Sequence, residues 1–110
     1  MTTLSTHVLD TTHGRPAAGV RLRLLQGPHV LFDGVTDSDG RCPELKTLVH
    51  KPGTYRLEFS VADYFRTRRV ELSEPPFLDV VGIDFGLEAD GHYHVPLLVS
   101  PYGYSTYRGS

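Results

Sequence analysis

Val20, Leu22 and Leu24 alternate with Arg21 and Arg23, and the same period of two returns where Tyr55, Leu57 and Phe59 are set against Arg56, Glu58 and Ser60. Strict alternation is what a strand needs when one face packs on a core and the other meets water. Around these two strands the remaining pattern falls into short extended pieces. Leu4 to Asp10 (LSTHVLD) reads as a strand in which His7 shares a face with Ser5 and Leu9, opposite Leu4, Thr6 and Val8; the pattern leaves open which face is buried. Thr11 to Gly19 follows as a loop, with Gly14, Pro16 and Gly19 as turn material. After the break at Gly27-Pro28, His29 to Thr36 is extended again. It ends in Asp37-Ser38-Asp39-Gly40, a turn that puts Arg41 just beyond it. Pro43 limits the next piece to a short edge segment at best.

From Val61 to Arg69 the alternation stops, and Val61, Tyr64, Phe65 and Arg68 fall at i, i+3, i+4 and i+7, which predicts a single short helix over residues 61–69. Phe77 to Leu87 reads as a strand interrupted at Gly82. His92 to Ser100 and Gly103 to Tyr107 make the last two strands, turned at Pro101-Tyr102. Pro96 lacks a donor, so its strand is expected at a sheet edge or where another subunit packs. About eight short strands with one helix predict an all-β fold, an antiparallel β-sandwich. No repeat, low-complexity tract or linker divides the 110 residues, which are expected to form one domain, 1–110.

Composition narrows the function classes. A chain of 110 residues buries roughly 65% of its unfolded surface, enough for a modest core. Net charge is -2, and apart from Arg66, Arg68 and Arg69 the cations are scattered, so no nucleic-acid footprint is present. No apolar run approaches the ~20 residues that a membrane helix needs. The single cysteine excludes an internal disulfide, and no secretory leader is visible, which points to the cytoplasm.

Candidate chemistry concentrates at the end of the chain. HYHVPLLVSPYGYSTYRGS, from His92 to Ser110, carries two histidines on one strand face and keeps Tyr102, Tyr104, Tyr107 and Arg108 close to its end, where polar, expendable residues are usual. His92 and His94 supply only two ligands and no CxxC or HExxH accompanies them, so no metal site is expected. His13, His29 and His50 read as surface loop residues. Cys42 has no local nucleophile signature and reads as a small buried hydrophobe. Asp37, Asp39 and Gly40 lack the remaining positions of a calcium loop and are read as a turn.

Taken together, His7 in LSTHVLD, Arg41 in DSDGRCPEL and the closing HYHVPLLVSPYGYSTYRGS resemble the transthyretin-related 5-hydroxyisourate hydrolases, from Leu4 to Ser110. The resemblance implies a transthyretin-like (prealbumin-like) sandwich and hydrolysis of 5-hydroxyisourate, the unstable first product of urate oxidation, without a cofactor. It further implies catalytic roles for His7, Arg41 and His94. His92 takes a supporting place, and Tyr107, Arg108 and Ser110 form a tail lining the substrate site. Val99 stands where a leucine is usual. Relatives of this kind are homotetramers, dimers of dimers with the sites in a channel between dimers. A carrier of the transthyretin type shares the fold and is the competing expectation, but it has lysine, glutamate and threonine where this chain has His7, Arg41 and His94, and it lacks the YRGS ending.

The residue types suit the chemistry. Opening a cyclic amide needs a water made nucleophilic, and a neutral imidazole can take its proton. An arginine offers planar donors to the substrate oxygens and steadies a developing oxyanion.

Overall fold

A computed structural model describes residues 1–109. Its strands are β1 (Thr2–Asp10), β2 (Arg15–Pro16), β3 (Arg21–Gln26), β4 (His29–Val35), β5 (Gly53–Ser60), β6 (Val80–Leu87), β7 (Gly91–Ser100) and β8 (Gly103–Thr106). Two helical segments, α1 (Pro43–Lys46) and α2 (Val61–Thr67), accompany them. The strands form two four-stranded sheets, β2-β1-β7-β8 and β4-β3-β5-β6, packed face to face as the alternation predicts. Leu4, Val8, Leu97 and Val99 from the first sheet meet Leu22, Leu24, Leu57 and Phe59 from the second, all of them fully or almost fully buried. Truncating such a leucine to alanine costs about 2–5 kcal/mol. In β1 the even positions face inward: Thr2, Leu4, Thr6, Val8 and Asp10 are buried, which turns Thr3, Ser5 and His7 to the outer face. The buried hydroxyls are satisfied, Thr6 Oγ1 donating to the Val95 carbonyl at 2.7 Å and Thr2 Oγ1 to that of Glu88 at 2.6 Å.

Several local expectations are corrected. The sheets are not wholly antiparallel. β1 and β7 pair in parallel over their length, from Thr2 opposite Gly91 to Asp10 opposite Val99, because the chain between them passes through the other sheet before returning. The α2 helix is where the apolar spacing predicts, yet a second helical turn, α1, follows Pro43; proline disfavours a central strand but suits the first turn of a helix. The strand expected from Phe77, β6, begins only at Val80 and runs unbroken through Gly82, where the Arg56 guanidinium lies in the space a side chain would fill. Pro96 is not on an edge strand, since β7 lies between β1 and β8. Its missing N–H falls just past the end of β8: Leu97 pairs with Thr106, the ladder skips Pro96, and it resumes where His94 meets Gly109. His50 is not a surface residue. Its N–H donates to the Thr2 carbonyl at 2.8 Å, its ring packs edge-on to Tyr55, and burial lowers its pKa.

One buried carboxylate ties the end of β1 to the helix. Asp10 accepts from Tyr64 Oη at 2.7 Å, His13 Nδ1 at 2.5 Å and the N–H groups of Thr12 and His13 at 2.9 and 3.0 Å. Burial pushes the Asp10 pKa up, but the hydrogen bonds from His13 and Tyr64 outweigh it and hold the group below its ordinary range. Burial and the same carboxylate push the Tyr64 phenol up to about 12. Because Asp10 is the stronger acid in the folded chain, its contribution is complete above about pH 4 and is lost as pH falls through the folded-state value. Asp10→Ala should lower stability by about 2–4 kcal/mol at pH 7 and flatten the acid limb of a urea-denaturation series run against pH.

Candidate active site

Three backbone pairings assemble the predicted residues on the outer face of the first sheet. Gly40 and Arg41 lie along β1, with the Val8 N–H donating to the Gly40 carbonyl at 2.8 Å and His7 bridging antiparallel to Arg41. On the other side of β1, Ser5 stands in register with His94 and His7 with Pro96. His94 in turn bridges Gly109, whose N–H donates to the His94 carbonyl at 2.7 Å. Arg41, His7, His94 and Gly109 thus cross the sheet as a row. From a rise of ~3.3 Å per residue and ~4.8 Å between strands, the Cα atoms of His7 and His94 lie roughly 8 Å apart on the diagonal, a span two imidazoles can close on a small molecule.

The turn before Arg41 is built for that approach. Asp37 Oδ1 accepts from the N–H groups of Asp39 and Arg41 at 2.9 and 3.1 Å, and the Asp37 N–H returns to the Arg41 carbonyl at 2.7 Å. Gly40 has φ +75°, and a Cβ there would stand 2.4 Å from the Val8 carbonyl oxygen. Only glycine meets both conditions. Beyond Arg41, α1 brings Lys46 to the same side, and a small concavity of about 180 Å³ is lined by Ser5, Thr6, Arg41, Cys42, Pro43 and Lys46. Lys46 is a residue the sequence reading missed; only the helical turn, which Pro43 signals, places it there. Cys42 is buried, and burial together with Glu44 pushes its thiol up to about 11, so it is an inert neighbour.

His94 is the half-buried member. Burial first, then the electrostatic influence of Arg41, His7, His92 and Lys46, lowers its pKa below the ordinary imidazole value. At neutral pH the ring is therefore uncharged. Its Nδ1 lies 2.8 Å from Ser5 Oγ, which also meets His92 Nε2 at 2.9 Å. On the opposite side the His94 ring rests against Gly109, where a Cβ would fall 2.6 Å from His94 Cδ2.

The remaining predicted residues are placed differently. His92 is exposed on the same face as His94. Arg108 turns away from it, its guanidinium 3.9 Å above the Tyr93 ring, and together with Tyr107 it lines a separate cleft at the edge of the sandwich with Ile83, Phe85, Tyr93 and Val95. A single chain therefore does not gather Arg108 with the histidines. Ser110 lies outside the described residues.

Comparison with known proteins places the chain in one family. The model of the HIUase/transthyretin family matches residues 4–109. A 5-hydroxyisourate hydrolase of Pseudomonas aeruginosa is 50% identical over 114 residues, covering 97% of this chain and 90% of that protein. The Klebsiella pneumoniae 5-hydroxyisourate hydrolase structure superposes with a TM-score of 0.87 at 35% identity, over 100% of this chain and 94% of that one. An (S)-allantoin synthase structure superposes with a TM-score of 0.91 at 40% identity; 99% of this chain is covered, but this chain spans only 44% of that protein's length.

Two substitutions test how the row is held. Gly40→Ala should cost about 1–2 kcal/mol from the left-handed backbone alone, seen as a lower urea midpoint, and should displace Arg41 from His7. Gly109→Ala should leave the melting temperature within a few degrees while turning the His94 ring off Ser5, visible as a shifted His94 side-chain resonance.

Proposed function

Because the chain belongs to the HIUase/transthyretin family, we propose that it hydrolyses 5-hydroxyisourate to 2-oxo-4-hydroxy-4-carboxy-5-ureidoimidazoline, using His7, Arg41 and His94 as its reacting groups. The observation that carries this reading is the row itself: two imidazoles and a guanidinium, distant in sequence, brought onto one sheet face by consecutive backbone pairings. A thyroid-hormone type of carrier has no need for a base held neutral beside cations.

Neutral His94 takes the proton of a water, which attacks the ring carbonyl. Burial and its cationic neighbours keep His94 unprotonated, the state a general base requires. Arg41 holds the substrate oxygens and the oxyanion that forms, a task worth a few kcal/mol where water is excluded. His7, on the opposite side of the diagonal, delivers a proton to the leaving nitrogen. No cofactor enters the scheme. His92, Tyr107, Arg108 and Ser110 complete substrate binding, and the tail does so across an interface in a homotetramer arranged as a dimer of dimers. The exposed Tyr104 and Tyr107 beside the open edge of β8 support such packing, since an unpaired edge strand is a surface that invites a partner. A single hydrolase domain working in the cytoplasm on a small substrate, without nucleic acid or membrane, completes the reading. No helix among the described residues is long and apolar enough to cross a membrane.

The test adds the protein to urate and urate oxidase and follows the ultraviolet decay of 5-hydroxyisourate. Wild type should accelerate the decay, and His7→Ala, Arg41→Ala and His94→Ala should each lose about 100-fold or more. A decay at the spontaneous rate with wild type rejects the activity, and full turnover by any variant rejects that residue's role. Light scattering should give the mass of four chains; an active monomer would remove the interface tail from the site.

A further inference from the structure

Ser5 belongs to a strand position that looks like ordinary surface, yet among the described residues its hydroxyl reaches both histidines of the HYH segment. Its hydroxyl lies 2.8 Å from His94 Nδ1 and 2.9 Å from His92 Nε2, and the far nitrogen of His92, Nδ1, lies 2.7 Å from Thr3 Oγ1. The register explains the spacing. Thr3 pairs with His92 and Ser5 with His94, so two small hydroxyl side chains of β1 interleave with two imidazoles of β7 along one face. Each hydroxyl carries one hydrogen and can accept as well as donate. The chain of four groups therefore has two complete wirings, one in which every proton points toward Thr3 and one in which every proton points toward His94.

We propose that Ser5 is a positioning residue that couples His94 to His92 as a proton relay, moving the charge acquired at His94 outward to the exposed His92. This rests on the role of His94 as base given above. In the starting wiring His94 Nδ1–H donates to Ser5, Ser5 donates to His92 Nε2, and His92 Nδ1–H donates to Thr3, leaving His94 Nε2 free. When His94 Nε2 accepts a proton from the attacking water, the proton on Nδ1 passes to Ser5 Oγ and the Ser5 proton passes to His92 Nε2. His94 is again neutral, the hydroxyl is restored, and one positive charge stands on His92. One proton has entered at His94 and one is ready to leave from His92, so the count balances; the reverse shift returns it.

The electrostatic layout favours that direction. His94 is half-buried and faces Arg41 and His7 from the β1 side, Lys46 from α1 and His92 on its own strand, all of which oppose a charge on its ring. His92 is exposed, and water solvates the imidazolium there. On its other side the His94 ring cannot swing away from Ser5 without clearing Gly109, so the relay contact is held by packing as well as by the hydrogen bond.

Ser5→Ala cuts the relay in the middle, and Ser5→Thr restores a hydroxyl on a side chain suited to a strand. In wild type, NMR titration of the two imidazoles should show each resonance reporting both protonation steps, as coupled sites do. Ser5→Ala should leave each ring with a single step of its own, and Ser5→Thr should bring the coupling back. With freshly generated 5-hydroxyisourate, Ser5→Ala should lower kcat about 10-fold with KM unchanged. A proton inventory in mixed H₂O and D₂O should be curved in wild type and straight in the variant. His92→Gln cuts the outer end, should give the same straight inventory, and serves if Ser5→Ala does not fold. Independent titration of the two histidines in wild type, or a Ser5→Ala enzyme with unchanged kcat and inventory, overturns the relay. A wild-type chain that shows coupled titration but does not accelerate the decay retains the relay and overturns the hydrolase reading instead.

Discussion

The parallel ladder between β1 and β7 is the constraint on which the site depends. It joins the second residue of the chain to the ninety-first and keeps step to Asp10 and Val99, so every side chain on the outer face of β1 has a fixed neighbour on β7. A slip of one residue would turn all inward positions outward. That penalty is severe here because Leu4, Val8, Leu97 and Val99 are all in the core. The apolar face thus sets the register, and the register sets which polar residues meet outside. Ser5 faces His94 because Leu4 faces Tyr93, and the chemistry is carried on the back of the packing.

The same economy governs the flanks of the ladder. Arg41 reaches His7 only because Gly40 lets the turn press its backbone against β1, and His94 keeps its orientation only because Gly109 leaves room for the ring. Two glycines with no side-chain chemistry therefore hold the two ends of the row. Asp10 does comparable work beneath it, since its carboxylate joins the end of β1 to α2 through Tyr64 and to the following loop through His13. Burial, with Arg41 and Lys46 nearby, lowers the pKa of the half-buried His94 imidazole and favours its uncharged form.

Much of this was legible in the sequence where one residue and its near neighbours decide the outcome. The alternation in Val20 to Leu24 and Tyr55 to Ser60, the helix at Val61, the Asp37 to Gly40 turn and the buried character of Cys42 all follow from local spacing and residue type. Legibility failed wherever a distant segment decides. Pro96 reads from its missing donor as a residue of a sheet edge or of a subunit contact, and the edge alternative fails because the ladder beside its interior strand skips that position. Gly82 reads as a break, yet Arg56 from the adjacent strand covers it. His50 reads as a loop residue, and a single hydrogen bond to Thr2 with a ring contact to Tyr55 makes it part of the interior. Ser5 and Lys46 carry no signal of their own, because a serine on a wet strand face and a lysine after a turn are common everywhere.

By itself the sequence determined the residue types, the two periodicities and, through the motifs around His7, Arg41 and the HYH segment, the family resemblance and the reaction class that go with them. Tertiary structure decided the direction of the β1–β7 pairing, which histidine is desolvated, and which small side chains stand between the two imidazoles. Periodicity records which side of a strand is dry but is blind to the partner's identity and direction, because a strand alternates in the same way beside any neighbour. Electrostatics depends on distance and burial, and neither exists until the chain has folded. His92 and His94, two residues apart and equivalent on paper, differ because the fold puts one in water and the other among cations.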